Sequence, residues 1–171
     1  PSTDIEIRDD DGKPLALGEV GESCIRGPQV MAGYWQRPDE TAKVMTSDGF
    51  FRSGDIGFMT AEGFLKIVDR KKDMIIVSGF NVYPNEVEAV VANCPGVAEA
   101  ACIGVPHAKT GEAVKLFVVR LPGAGVTEAE VIAHCRAGMT GYKVPSVVRF
   151  VDALPKSNVG KILRRELRNV D

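Results

Sequence analysis

The sequence lacks several features that would point to particular classes of protein. No apolar run comes near the ~20 residues that a membrane-spanning helix requires, and nothing at the start resembles a signal peptide. His107 has no second histidine at metal-ligand spacing, and no cysteines form a Cys-x-x-Cys pair, which argues against a zinc site or a thioredoxin-like motif. The four cysteines are Cys24, Cys94, Cys102 and Cys135. A reducing cytosol and a soluble chain, at most peripheral to a membrane, are therefore expected.

The sequence also lacks an excess of charge of either sign. A formal net charge of −2, with basic residues spread along the chain, gives no electrostatic footprint for a nucleic-acid duplex. The hydrophobic fraction of 44% and the charged fraction of 26% are typical of globular proteins rather than disordered ones. With 171 residues, the chain is long enough for one domain, or for a small domain with part of another. We expect a folded protein with no nucleic-acid partner.

Residues 1–69 have the pattern of short strands divided by turns. Ile5 and Ile7 alternate with polar residues, and turn pairs such as Asp11-Gly12 separate the apolar stretches. Because a sheet of so few strands would have unpaired edges, we expect these strands to complete a β-barrel-like subdomain that begins upstream. The chain also starts inside a strand-like stretch without a methionine, which suggests a fragment of a longer protein.

Residues 70–171 have the pattern of a separate α+β domain. Pro84 opens one helix, and Thr127-Glu-Ala-Glu130 is a capping box that opens another. Strands are expected at 98–105, 114–120 and 147–151, with a last helix near 161–168. This order predicts a small mixed sheet with packed helices, and the charged quartet 69–72 marks the boundary between the two parts.

The sharpest local feature is the polar loop 154–161, which ends in Gly160 and Lys161. Such a loop can present a lysine to a phosphate group. It is not a Walker A loop, because Pro155 takes the place of the first glycine and Ile162 replaces the serine or threonine. A P-loop NTPase is therefore excluded, and on local grounds alone the lysine is more often solvated than catalytic.

Asp55 and Arg70 are further candidates for binding a ligand. Glycines flank Asp55 in the segment 51–57, on an expected loop that a ligand can approach closely. An ordinary turn aspartate has the same local pattern. Arg70 lies in the charged quartet, which taken alone is typical of a solvated surface.

Together these segments resemble the adenylate-forming superfamily, which includes acyl-CoA synthetases, beetle luciferase and peptide-synthetase adenylation domains. The resemblance covers nearly the whole chain, in four motifs that recur in the same order. These motifs are residues 21–35, 48–57, 63–72 and 155–161. Residues 73–86 are most similar to bacterial long-chain fatty acyl-CoA synthetases, although residues 50–53 are Phe-Phe-Arg-Ser where that group often has Trp-Leu-His-Thr.

The resemblance implies a two-step reaction with ATP, Mg²⁺ and CoA. A fatty acid carboxylate attacks the α-phosphate of ATP and pyrophosphate leaves, after which the thiol of CoA displaces AMP from the acyl-adenylate. In this family pattern Lys161 matches the adenylation lysine, while Asp55 and Arg70 match the residues that bind the nucleotide ribose. No residue of the chain is expected to ligate a metal.

The resemblance also implies a moving domain. Residues 70–171 match the C-terminal lid, which rotates between the two steps, and Lys72 matches its hinge. The loop Ser78-Gly79-Phe80 matches the segment that then approaches the pantetheine channel. Lys161 would leave the active site in the same movement.

Two other functions stay open at this stage. One is an adenylate-forming ligase for an aryl or medium-chain acid, or one that loads a carrier protein; the upstream acid-binding sequence would decide. The other is a binding module that keeps the lid fold without chemistry. The expected partners are the fatty acid, ATP, CoA and the rest of the N-terminal domain. We expect a cytoplasmic enzyme, with peripheral contact at the inner membrane left open, and an isolated fragment that turns over nothing.

Overall fold

The computed structural model describes residues 2–170, which form two compact units that divide between Lys72 and Asp73. The sequence places the boundary three residues earlier, between 69 and 70. Arg70 still belongs to the first unit because it ends a strand, and Lys71–Asp73 form a single 3-10 turn.

The first unit is a four-stranded antiparallel sheet in the order β1-β2-β3-β4. Its strands are β1 (Asp4–Arg8), β2 (Gly21–Arg26), β3 (Phe51–Met59) and β4 (Leu65–Arg70). A short helix that the sequence analysis missed, α1 (Pro38–Val44), lies between β2 and β3 in the chain. Its signals are the proline at its start and the acidic residues Asp39 and Glu40 in its first turn, which both favour a helix N-terminus.

The second unit contains a five-stranded mixed sheet. Its strands are β5 (Ile75–Val77), β6 (Phe80–Val82), β7 (Val97–His107), β8 (Gly111–Arg120) and β9 (Val147–Phe150). The order is β6-β5-β8-β7, and β9 pairs with β8 in parallel while the other pairs are antiparallel. The helices are α2 (Pro84–Val91), α3 (Glu128–Gly138) and α4 (Arg164–Leu167). No helix in the described part of the chain is long and apolar enough to cross a membrane.

The predicted α+β class is confirmed, and so are the starts of two helices. Pro84 lies in the first turn of α2, and the capping box of α3 forms in full. Strand β6 was missed, and the last helix is a single turn that begins at Arg164 rather than near Lys161. The reason is that residues 156–162 close a tight turn, held by an antiparallel bridge between Lys156 and Ile162.

The sheet of the second unit is covered on both faces because the side chains of β8 alternate between them. Leu116 and its alternate neighbours pack in a cluster with Val87 of α2 and Val131 of α3. Phe117 packs in a second cluster with Leu154 and Leu167. The segment that carries Lys161 is therefore fixed to the sheet by a buried leucine at each end.

Candidate functional site

Asp55 and Arg70 lie opposite each other on the neighbouring strands β3 and β4. Nε of Arg70 lies 2.7 Å from Oδ1 of Asp55, so the two side chains form an ion pair. Their side chains keep 31% and 49% of their exposure, so both groups reach solvent. The pair presents a carboxylate, which accepts hydrogen bonds, beside a guanidinium, which donates them, and this combination suits a vicinal diol.

A bulge in the sheet sets the position of Asp55. Glu22 pairs with Ile56 and Cys24 pairs with Arg52, so Ser23 alone faces residues 53–55. Gly54 takes a φ of +73°, a left-handed conformation that glycine adopts without the usual steric penalty. The glycine expected to flank Asp55 is thus required by the backbone at this point.

The buried carboxylate of Glu22 stabilises the bulge. The sequence did not indicate this role. Glu22 is 5% exposed and accepts hydrogen bonds from the backbone N–H of Gly54 at 3.1 Å and from Nε of Arg52 at 3.0 Å. It also accepts from Nζ of Lys71 at 3.1 Å. One buried carboxylate therefore ties the residue before Asp55 and the residue after Arg70 to the same point.

Lys161 lies in the second unit, at the end of a tight turn. The N–H of Ser157 donates to the carbonyl oxygen of Lys161 at 2.8 Å, and the N–H of Lys161 donates to Oγ of Ser157 at 3.1 Å. The lysine is exposed, and within residues 2–170 no side chain forms an ion pair or hydrogen bond with its ammonium group. An ordered backbone thus carries an unpaired positive charge that an anionic ligand can approach.

Ser78 and Gly79 form the two-residue turn between β5 and β6, where Val77 pairs with Phe80. Their φ values are +52° and +83°, as in the type I′ turns that match the twist of a hairpin. The Phe80 ring is 56% exposed and stacks on the Tyr142 ring, with centroids 4.8 Å apart and 22° between the planes. The turn therefore presents an aromatic ring whose orientation is fixed by a neighbour.

The candidate residues are distributed over both units. Asp55 and Arg70 form one contact in the first unit, while Lys161 and the Ser78–Gly79 turn lie on separate turns of the second. Lys72 is exposed and is the middle residue of the 3-10 turn Lys71–Asp73. In the part of the chain that the structure describes, no three His, Cys, Asp or Glu residues cluster closely enough to bind a metal ion.

The cysteines are unsuited to chemistry. All four are free and buried. Burial raises the pKa of the Cys24 thiol, and raises the pKa of Cys135 to about 11. A protonated, enclosed thiol is neither a nucleophile nor a metal ligand at neutral pH.

Two family profiles match the chain. Residues 86–161 match the C-terminal domain of AMP-binding enzymes, and residues 1–35 match the AMP-binding enzyme profile. The first match begins within α2 and ends at Lys161, and the second includes Glu22.

Curated relatives match the chain over nearly its full length. It is 62% identical to a long-chain-fatty-acid–CoA ligase of Yersinia pestis and 59% identical to one of Escherichia coli O157:H7. Each alignment covers 99% of this chain and 30% of the relative, so the chain spans less than a third of these proteins. A 3-[(3aS,4S,7aS)-7a-methyl-1,5-dioxo-octahydro-1H-inden-4-yl]propanoyl:CoA ligase of Mycobacterium tuberculosis is 45% identical, over 99% of this chain and 32% of that relative.

Solved structures share the fold. ATP-bound MatB from Rhodopseudomonas palustris superposes with a TM-score of 0.94 at 40% identity, covering 99% of this chain and 34% of that one. The o-succinylbenzoate CoA synthetase MenE from Bacillus subtilis, in complex with its acyl-adenylate intermediate OSB-AMP, superposes with a TM-score of 0.87 at 34% identity. The superposition covers 99% of this chain and 34% of that one.

Proposed function

The chain belongs to the AMP-binding enzyme family, and on that premise we propose that it is the C-terminal part of a long-chain fatty acid–CoA ligase. Such an enzyme activates a fatty acid with ATP to an acyl-adenylate, releases pyrophosphate, and transfers the acyl group to CoA. The observation that carries the proposal is identity of 62% and 59%, over 99% of this chain, to two relatives that bear this name.

In the first step Lys161 supplies positive charge to the reacting groups. Negative charge develops on the α-phosphate and on the attacking carboxylate as the new bond forms, and a fixed ammonium group stabilises that charge. Lys161 suits the role because it is exposed and unpaired within residues 2–170 and because its backbone is held in an ordered turn.

Asp55 and Arg70 hold the ribose of ATP during both steps. The carboxylate accepts hydrogen bonds from the ribose hydroxyls, and the guanidinium donates to the same sugar while it stays in its ion pair with Asp55. A carboxylate would be repelled by the triphosphate, so the sugar is the part of ATP that Asp55 suits. ATP enters as its magnesium complex, and no residue of this chain is assigned to the ion.

For the second step, we propose that the lid turns about Lys72 and exchanges one loop for another. Lys161 withdraws, and the Ser78-Gly79-Phe80 turn approaches the pantetheine of CoA. The type I′ geometry and the stacked Phe80 ring provide a rigid edge for this purpose. One active site then performs two reactions in sequence.

The remaining partners belong to the parent protein. The acid-binding pocket and the rest of the large N-terminal domain are assigned to sequence outside this chain, which spans 30% of its ligase relatives. We propose a cytoplasmic location. Peripheral contact with the inner membrane would bring the enzyme to long fatty acids, and co-sedimentation of the parent with lipid vesicles tests this.

A second candidate is an adenylate-forming enzyme for a different acid. It is favoured by the similarity to MenE and to the amide bond synthetase McbA from Marinactinospora thermotolerans, which is 40% identical with a TM-score of 0.89. The two candidates differ in the acid and in the final acceptor, not in the roles proposed for Lys161, Asp55 and Arg70.

A panel of acids separates these candidates in the full-length protein. We expect AMP release that requires CoA and is fastest with long-chain fatty acids, with short and aryl acids at least ~10-fold slower, a ratio that a few buried methylenes can supply. Preference for an aryl acid, or AMP release that requires an amine instead of CoA, would reject the proposal. A protein that releases no AMP with any acid would be a binding module.

A further inference from the structure

A partly buried ion pair joins the segment of Lys161 to helix α2. Arg164, the first residue of α4, donates from Nε to Oε1 of Glu88 at 3.1 Å and from Nη2 to Oε2 at 2.7 Å. Nη2 also donates to Oδ1 of Asn85 at 2.6 Å. The side chains of Arg164 and Glu88 are each only 16% exposed. A two-point contact between a planar guanidinium and a carboxylate fixes orientation as well as distance.

Glu88 is itself fixed to the sheet. Its Oε1 accepts a hydrogen bond at 2.9 Å from the backbone N–H of Cys102, which lies on the edge strand β7. Oδ2 of Asp73, the residue that follows Lys72, lies 3.8 Å from Nη1 of Arg164. The guanidinium is thus held against α2 and close to the first residue of the second unit, and Glu88 links it to β7.

The apolar contacts of the same segment have a different effect. Leu154 and Leu167 lie on either side of the turn and pack with Phe117 on the sheet. Such contacts hold the segment in place but are non-directional. An ion pair removed from most of its solvent also adds little net stability compared with apolar packing, so stability alone does not account for the pair.

We propose that Arg164 and Glu88 are positioning residues for adenylation, which set the direction in which Lys161 points from its turn. This inference rests on the proposed function of Lys161. Lys161 precedes Arg164 by three residues, a span of at most ~11 Å, so a change at the guanidinium reaches the lysine with little chain between them. A misplacement of ~1 Å in a catalytic group can lower the rate by about 10²-fold.

The test uses Arg164→Gln and Glu88→Gln in the full-length protein, with the two half-reactions measured separately. ATP–pyrophosphate exchange reports adenylation, and thioester formation from supplied acyl-adenylate and CoA reports the second step. We expect kcat for exchange to fall by about 10- to 100-fold in each variant, with the KM for ATP nearly unchanged because the proposed ribose-binding residues are Asp55 and Arg70. Thioester formation should be retained.

Three further variants complete the design. Arg165→Gln removes an exposed arginine next to Arg164 and should leave both half-reactions unchanged. Arg164→Lys keeps the charge but loses the second hydrogen bond, so exchange should lie between the wild type and Arg164→Gln. In the double variant of Arg164→Gln and Glu88→Gln, exchange should be no slower than in the slower single variant, because both substitutions remove the same ion pair.

Equal loss of both half-reactions, or normal exchange in both Gln variants, would overturn the positioning role. Should Arg164→Gln fail to fold, as judged by circular dichroism, Glu88→Gln and Arg164→Lys carry the same test. A wild-type protein without any exchange would refute the proposed function, and this inference with it, before any variant is compared.

Discussion

Glu22 shapes the strands that carry Asp55 and Arg70. Its carboxylate is buried and accepts hydrogen bonds from Arg52, Lys71 and the backbone of Gly54. Removing one partner of such a group would leave a buried charge without compensation, which is why glutamate at this position is costly to replace.

The sequence could predict Asp55 but not Glu22, and the reason is physical. Asp55 stands in a motif whose glycines indicate a special backbone. Glu22 stands in an ordinary alternating strand, where a glutamate is typical of a solvent-facing position. Only the bulge, which depends on pairing with a strand some 30 residues away in sequence, turns its carboxylate into the interior.

Replacing Asp55 with asparagine tests its proposed role. Asp55→Asn keeps the shape of the side chain but removes the charge and one acceptor oxygen. A hydrogen bond to a charged group contributes ~1.5–3 kcal/mol, so the KM for ATP of the full-length enzyme should rise by about 10- to 100-fold. Asp39→Asn, an exposed aspartate in helix α1, is the matched control and should not change it. An unaltered KM in Asp55→Asn would contradict ribose binding by this residue.

At the scale of single elements, local sequence signals predicted where two helices start but did not predict strand β6 or the start of the last helix. Helices α2 and α3 were predicted because a proline and a capping box act within a few residues. Strand β6 is three residues long and exists through its pairing with β5, which composition does not reveal. The last helix begins late because the bridge between Lys156 and Ile162 closes a turn first.

The capping box of α3 should make stability depend on pH. Hydrogen bonds from the backbone and side chain of Thr127 to Glu130 lower the pKa of this carboxyl. A pKa that is lower in the folded state adds stability at pH values above the unfolded pKa, and this stability is lost as the pH falls through the folded pKa.

We therefore expect Glu130→Gln to lower the melting temperature of the chain at pH 7, with the difference from wild type shrinking below about pH 4. Thermal unfolding followed by circular dichroism at several pH values measures this. Glu128→Gln removes a charge from the same turn without touching the box and is the control. If the difference in melting temperature between Glu130→Gln and the wild type stays constant down to pH 3, the charge of Glu130 contributes nothing to stability.

At the scale of the whole molecule, the chain consists of two units whose sequence connection is the Lys71–Asp73 turn. The sequence predicted both parts from a change of pattern. The structure divides three residues further along the chain, and the pairing of Arg70 with Asp55 makes Arg70 the end of a strand of the first unit. Contacts distant in sequence decide such boundaries.

The hinge proposal makes a prediction about Lys72→Pro. Proline fixes its own φ near −65° and restricts the residue before it, so rotation at this position should be blocked. Thioester formation by the full-length enzyme should fall, while ATP–pyrophosphate exchange should be retained. Lys72→Ala removes the charge but leaves φ free and should behave like the wild type. If thioester formation by Lys72→Pro matches the wild type, Lys72 is not the hinge.

The central claim is that Lys161 serves one step of two, and measuring both half-reactions of Lys161→Ala in the full-length enzyme tests it most directly. Exchange between ATP and pyrophosphate should fall by at least about 10²-fold, the effect of removing one preorganised electrostatic group. Thioester formation from supplied acyl-adenylate should continue at nearly the wild-type rate, and Lys109→Ala, an exposed lysine elsewhere in the second unit, should alter neither step. Equal loss of both half-reactions in Lys161→Ala, or undiminished exchange, would contradict the account.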